Sequence, residues 1–383
     1  MTALCLIAVL LLAASYVGYP LALALFAARG GASPVREPVD DAALPSVALV
    51  ISAYNESAVI AEKIENSLAS DYPKALLSIV VFSDGSDDGT DDIVQRYADR
   101  GVVLRRIEGR LGKTHGQNTV VAECHADIIV FSDANTLYRP DAVRQLTLAF
   151  EDPTVGCVIG NRRYVGDSRS GSQEGIYEQF ENWLKAKESQ LGGTIGACGA
   201  IYAVRRDDYL ALPADRISDF VEPLRLACAG RRVVYAAGAV GEEPLETDFW
   251  RELSRKRRIV LRSLNSLWAE RSVLCRAPAV AIKVILHKII RWQTLPLLIV
   301  AAVAGLASGY LLLQAMTLLV SAYVFTGVSL LFWLRSPDRS AADLPLGFVG
   351  RLVLYSMGVF VSASSATVAF LQGKNQIVWN ARS

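Results

Sequence analysis

Three short apolar runs in this chain end in clusters of oxygen-bearing side chains. Residues 47–51 lead into Ser52-Ala53-Tyr54-Asn55-Glu56, residues 79–82 into Ser83-Asp84-Gly85-Ser86, and residues 128–131 into Ser132-Asp133-Ala134-Asn135-Thr136. Asp84 can accept hydrogen bonds from a base or ribose, and Gly85 beside it lacks the Cβ that would keep another backbone away. Gly112-Lys113 offers an ammonium for a diphosphate, and Asn118 follows where a helix could turn it toward a nucleotide. Asp133 and Asn135, at i and i+2, form an oxygen pair able to grip a hard divalent cation such as Mg2+ or Mn2+, which would neutralise a leaving diphosphate. Each residue also has a plainer reading: Asp84 as a turn former, Lys113 as a surface lysine, Asp133 as a helix cap. The plainer readings leave unexplained why all three clusters follow β-rich runs.

The elements that must hold these residues alternate. Helix-like segments over residues 57–70, 90–100, 115–123 and 140–150 separate the runs. That order predicts an α/β fold with a mostly parallel sheet, and open sheets of this kind take ligands outside the carboxyl ends of their strands. The three clusters therefore converge on one crevice.

The 383 residues are 52% hydrophobic and only 20% charged, more apolar than a soluble domain of this length. The excess is localised. Residues 4–28 carry no charge and are long enough for one span; without a basic start and with so long an apolar stretch, they read as an anchor rather than a cleaved signal. Residues 29–45 read as a linker and 46–270 have the polarity of a globular domain. In residues 271–293, Lys283, His287, Lys288 and Arg291 alternate with apolar side chains, which predicts an amphipathic helix on an anionic membrane surface. Residues 294–372 supply about three spans, two of them joined by a turn near Gln314, and residues 373–383 form a tail. The basic residues flanking these spans place the globular domain in the cytoplasm. Thirty-nine Lys and Arg against 38 Asp and Glu exclude a polycationic nucleic-acid binder, and six cysteines without a C-x-x-C pair indicate neither a zinc site nor a disulfide scaffold.

Taken together, these motifs resemble the processive branch of glycosyltransferase family 2, the membrane-embedded synthases related to cellulose, hyaluronan and poly-N-acetylglucosamine synthases. The resemblance implies a GT-A nucleotide-sugar domain and an inverting transfer. It implies a UDP-sugar donor, a polysaccharide or lipid acceptor, contact with membrane lipids, no nucleic acid, and location in the bacterial inner membrane. On this resemblance, Ala53, Tyr54, Asn55 and Glu56 match the opening nucleotide loop, and Asp84 with Gly85 the second aspartate. Lys113 and Asn118 match a lysine and asparagine element, and Asp133 the first aspartate of the metal motif, with Asn135 in the second place. Gly196-Ala197-Cys198-Gly199-Ala200 resembles the loop facing the acceptor, contributing Gly196, Cys198, Gly199 and Ala200. Asp219 stands where the family has its catalytic base, with a helix cap as its plainer role. Arg255 to Arg258 correspond to the family's (Gln/Arg)-x-x-Arg-Trp. That gives Arg258 the diphosphate, against the plainer reading of a membrane-surface face, and Trp379 lies in a tail like the family's Trp and Arg element.

The chain departs from the pattern at three points. Asn135 replaces an aspartate, Ser218 stands where the family usually has an acid, and Ile259 replaces the tryptophan that accompanies acceptor binding. Three expectations follow: a synthase that elongates and exports a polysaccharide, a transferase that places one sugar on a lipid, or a catalytically weak scaffold or sugar-nucleotide sensor.

Overall fold

The computed structural model describes residues 1–29, 41–165, 168–246, 248–334 and 347–375; Trp379 and Arg382 lie outside them. The chain opens with α1 (Thr2–Ala13) and α2 (Tyr19–Arg29), made continuous by a π turn over Ala14–Gly18. An α/β unit follows. Its strands are β1 (Val47–Ala53), β2 (Leu77–Asp84), β3 (Val102–Ile107), β4 (Ile128–Asp133), β5 (Leu137–Tyr138), β6 (Val155–Val165), β7 (Ile201–Arg205) and β8 (Arg232–Pro244). They form one sheet in the order β3-β2-β1-β4-β7-β6-β8-β5. The block β3-β2-β1-β4 is parallel, as the alternating pattern predicts. Beyond it the sheet turns mixed, because β7 runs against both β4 and β6.

All seven residues of β1 are buried. That is the signature of a central strand covered on both faces. Leu49 and Ile51 enter a core completed by Ile60 and Ile64 of α3 (Ile60–Leu68) and Val94 of α4 (Thr90–Gln95). Ala48 and Val50 enter the opposite core, with Val120 and Val121 of α5 (Lys113–Glu123). The ladder registers Ser52 against Asp133 and Ala53 against Ser83, so three strand ends stop level along one edge. Register, set by the two-faced burial, therefore places the polar clusters.

Beyond β5 come α6 (Ala142–Thr147), α7 (Ser168–Gln190), α8 (Ser218–Cys228) and α9 (Phe249–Ala269). The expected amphipathic stretch is broken into α10 (Arg271–Cys275), α11 (Pro278–Val284), a second π turn over Ile285–Ile289, and α12 (Ile290–Trp292). It bends by 70° into α13 (Thr294–Leu306). Then come α14 (Leu311–Trp333) and α15 (Phe348–Leu371). Thr2–Ala28, Leu311–Phe332 and Val349–Leu371 are each long and apolar enough to cross a membrane. At 1.5 Å per residue α13 reaches only about 20 Å, short of a hydrocarbon core of about 30 Å. The turn expected near Gln314 instead falls at residues 307–310, where Gly309 takes φ +75°. Gln314 lies inside α14 and reaches back, its Nε2 donating to the Leu306 carbonyl at 3.3 Å to cap the preceding helix.

Candidate active site

A cavity of about 890 Å3 opens between the level strand ends, α8, α9 and α15. Asp133 enters it from the end of β4 and is ion-paired with Lys113 at the start of α5. The same ammonium donates to the Gly199 carbonyl at 3.2 Å, so it ties the strand end to the glycine-rich loop. Burial opposes charge on Lys113, yet Asp133 and Asp219 together hold its pKa above the ordinary value.

Lys113 is placed by Asp84. Asp84 is fully buried and accepts from the backbone amides of Leu111 at 2.9 Å and Gly112 at 3.1 Å. Its carboxylate thus also builds the loop that presents Lys113. Gly85 makes this possible. At φ +73°, a Cβ there would meet the Gly109 carbonyl oxygen at 2.7 Å, inside van der Waals contact.

Asn118 is held in a similar way. Its Oδ1 accepts from Tyr209 Oη at 2.7 Å and its Nδ2 donates to the Leu212 carbonyl at 2.7 Å, so it fastens α5 to the following loop. Among the described residues Ala53, Tyr54 and Asn55 do not line the cavity, whereas Glu56 does. Tyr54 lies under the Arg110 guanidinium at 3.7 Å. Asn55 takes φ +52°, its Nδ2 donating to Asp87 at 2.7 Å while its Oδ1 accepts from the Asp87 amide at 3.0 Å. These residues lock the first strand-end loop to the second.

The loop after Asp133 is held from beneath by a lysine that no motif pointed to. Lys63 of α3 is fully buried, donates to the Thr136 carbonyl at 2.5 Å and sits 3.8 Å over the Tyr138 ring. Burial lowers its pKa to about 7, the Asp133 carboxylate pulling the other way. Asn135 gives its amide nitrogen to Glu243 at 3.1 Å, which leaves its carbonyl oxygen as the atom on offer beside Asp133. Among the described residues no group of three or more His, Cys, Asp or Glu gathers as a metal cage. Two oxygen donors fit a hard cation that completes its shell from a diphosphate and water.

On the other wall stands Asp219, in the first turn of α8. Gly196, Cys198, Gly199 and Ala200 all line this wall. A Cβ on Gly199 would meet Asp219 Oδ2 at 2.6 Å and Lys113 Nζ at 3.0 Å, so glycine lets backbone lie directly on both. The Ala197 amide donates to the Asp219 carbonyl at 2.6 Å, fixing the loop to the helix start. Burial raises the Asp219 carboxyl above its usual range, with Asp133 adding to the rise and Lys113 and Arg262 opposing it. A carboxylate made more basic, at a cavity wall, is suited to accept a proton.

α9 supplies the cationic side. Arg258 and Ile259 line the cavity. Arg255 is held by Glu252, at 2.7 Å, and by the Tyr164 hydroxyl, at 2.9 Å. Arg262, one turn beyond Arg258, also faces the cavity and escaped the sequence reading. The helical spacing from Arg258 was the available signal. The far end of the cavity is apolar: Val359, Phe360 and Ala363 of α15, a helix long and apolar enough to cross a membrane, with Trp292 at the 70° bend.

A buried charge network backs this end. Glu188 of α7 accepts from Thr194 Oγ1 at 2.6 Å and from the Tyr19 hydroxyl, and faces His287 Nδ1 at 2.7 Å. Glu181 meets His287 Nε2 at 3.2 Å, Lys288 at 2.8 Å, and Arg291. Burial would raise both carboxyls, but these partners hold both below the usual range.

The glycosyl transferase family 2 model matches residues 48–211. An N-acetylglucosaminyltransferase of Azorhizobium caulinodans is 28% identical over 217 residues, covering 51% of this chain and 54% of that protein. A beta-monoglucosyldiacylglycerol synthase of Synechocystis is 31% identical over 118 residues, covering 30% of this chain and 25% of that one. The chain spans about half or less of the length of the curated relatives it matches. Among solved structures, the mannosyltransferase PcManGT from Pyrobaculum calidifontis, in complex with GDP-Man and Mn2+, superposes with a TM-score of 0.69 at 25% identity. That match covers 97% of this chain and 99% of the other.

Proposed function

We propose that this chain, which carries a glycosyl transferase family 2 domain in a GT-A-like fold flanked by apolar helices, is a membrane-bound inverting hexosyltransferase using a nucleoside-diphosphate sugar. One observation carries the reading: Lys113, Asp133 and Arg258, the carboxylate of Asp219, and the membrane helix α15 all line a single cavity. The donor diphosphate lies against Lys113 and Arg258, whose charges favour the negative charge that develops as the glycosidic bond to phosphate breaks. The acceptor hydroxyl lies against Asp219, which takes its proton as the oxygen attacks the anomeric carbon from the side opposite the leaving group. Attack from that side inverts the anomeric centre. Asp133 and Asn135 would hold a divalent ion, Mg2+ or Mn2+, whose charge offsets that of the diphosphate. The catalytic domain lies on the cytoplasmic side, where sugar nucleotides are made.

The wall formed by Val359, Phe360 and Ala363 favours an acceptor whose tail stays in the bilayer. Trp250 and Trp292 on the same wall favour a second reading, a growing polysaccharide that stacks its sugars on aromatic rings. Purified protein in detergent, given labelled UDP- and GDP-sugars with and without Mg2+ or Mn2+ and a membrane-lipid extract, tests both. A single-sugar product that partitions into organic solvent is expected. A water-soluble ladder would favour the second reading, and no turnover of any sugar nucleotide would overturn both.

A further inference from the structure

We infer that Lys185 of α7, with Arg162 beside it, forms an anion subsite on the acceptor side of the cavity, so that the acceptor carries a phosphate or carboxylate near the hydroxyl it offers; this rests on the lipid-acceptor reading above. Lys185 lines the cavity yet is only 7% exposed. Among the described residues its ammonium makes one hydrogen bond, to Asn182 Oδ1 at 3.5 Å, the outer limit of such a contact, and no ion pair. An ammonium withdrawn from water without a counter-ion is costly, so a ligand that supplies one is favoured.

The acids of α7 are engaged elsewhere. Glu181, four residues before Lys185 and so on the same helical face, accepts from Lys288 at 2.8 Å and from Arg291. Glu188, three residues after, is taken by His287 and Thr194. Glu178, two turns before, accepts from Arg162 Nη2 at 2.9 Å. Arg162 lines the cavity too, and its Nε is buried with no hydrogen-bond partner among the described residues.

Position gives these cations to the acceptor. Asn182 Nδ2 donates to Asn161 Oδ1 at 3.1 Å, which laces this stretch of α7 to β6. In the sheet β6 lies two places beyond β4, on the far side of Asp133 from β1 and β2. One turn on from Lys185, Glu188 holds Thr194, which leads into the glycine-rich loop. Tyr16 of the first apolar helix and Tyr177 of α7 line the same cavity, so a headgroup seated between that loop and the membrane helices passes Lys185. The donor diphosphate has Lys113 and Arg258 of its own.

The test is the binding of short-chain lipids to the purified protein in detergent, read from tryptophan fluorescence, with Mn2+ and UDP or GDP present to fill the diphosphate site. Dioctanoyl phosphatidylglycerol should bind at least about tenfold more tightly than dioctanoylglycerol. Lys185→Met should abolish that preference and Lys185→Arg should keep it. Lys187→Met, which removes a charge from the same helix outside the cavity, should also keep it. A glucuronosyl diacylglycerol is compared in the same way with its glucosyl counterpart; a preference confined to this pair would support the subsite and make the anion a sugar carboxylate rather than a lipid phosphate. Equal affinities within both pairs, or a preference that survives in Lys185→Met, would overturn the inference. Transfer of labelled sugar to the same lipids is followed alongside, and Lys185→Met should raise KM for the anionic lipid about tenfold while leaving KM for the sugar nucleotide unchanged. If no lipid is glycosylated while the charge preference and its loss in Lys185→Met both hold, the lipid-acceptor reading fails and the anion subsite stands.

Discussion

Two carboxylates three residues apart on α8 have opposite fates. Asp219 borders the cavity, where on the proposed reading it takes a proton from the acceptor. Substitution by asparagine should therefore lower kcat by at least about 100-fold while donor affinity stays within a few-fold, since only the transition state uses the base. Equal losses in donor binding and turnover would sink the assignment. Glu222 is fully buried, with Oε1 unpartnered among the described residues and Oε2 3.5 Å from Tyr202 Oη. Burial raises its pKa from 4.5 to about 8, against small opposing effects from the Leu210 backbone and Tyr202. Between those values the folded chain keeps a proton that the unfolded chain has released, so stability falls as pH rises through that window. Glu222→Gln should flatten this decline and raise Tm at alkaline pH. A variant whose melting temperature tracks the parent from about pH 5 to 9 would show that Glu222 is ionised in the fold. Sequence reasoning singled out Asp219 through a neighbouring motif, but Glu222 carries no local mark: its burial is decided by Tyr202 of β7 and by the loop that precedes α8.

At the scale of elements, the strand-end clusters were legible and their duties only partly so. The period of the apolar runs disclosed β1, β2 and β4, and their parallel register follows from strands buried on both faces. The bonds that Asp84 and Asn118 make to backbone loops were not legible, because a residue type at a strand end or helix start says what it can bond, not whether a loop has already claimed it. The network beneath the cavity was invisible for a related reason. Glu181, Glu188 and His287 are unremarkable on their own helices and meet only when α7 packs on the second π turn. His287→Leu would leave both buried carboxylates short of a partner. We expect a loss of about 3–5 kcal/mol, read as a fall in Tm, and partial recovery in the double variant with Glu188→Gln. A parent-like Tm for His287→Leu would show that Lys288, Arg291 and Tyr19 suffice without it.

For the whole molecule, the apolar runs marked three helices long and apolar enough to cross a membrane, while the shortness of α13 and the bend at Trp292 did not show, since each side of the bend is apolar in its own right. What joins the two halves lies in the first span. Ser15 Oγ donates to the Leu286 carbonyl at 2.6 Å, where one π turn meets the other, and Tyr19 reaches Glu188, the same carboxylate that fastens Thr194 ahead of the glycine-rich loop. The first span is thus synthesised long before the residues that satisfy its polar groups, and it must wait in the bilayer for them. Until residues near 287 arrive and dock, Glu188, which holds Thr194 ahead of the glycine-rich loop, lacks its His287 partner. The anchorage of the glycine-rich loop through Thr194 and Glu188 is in this way completed only after the chain has been made well past its globular unit.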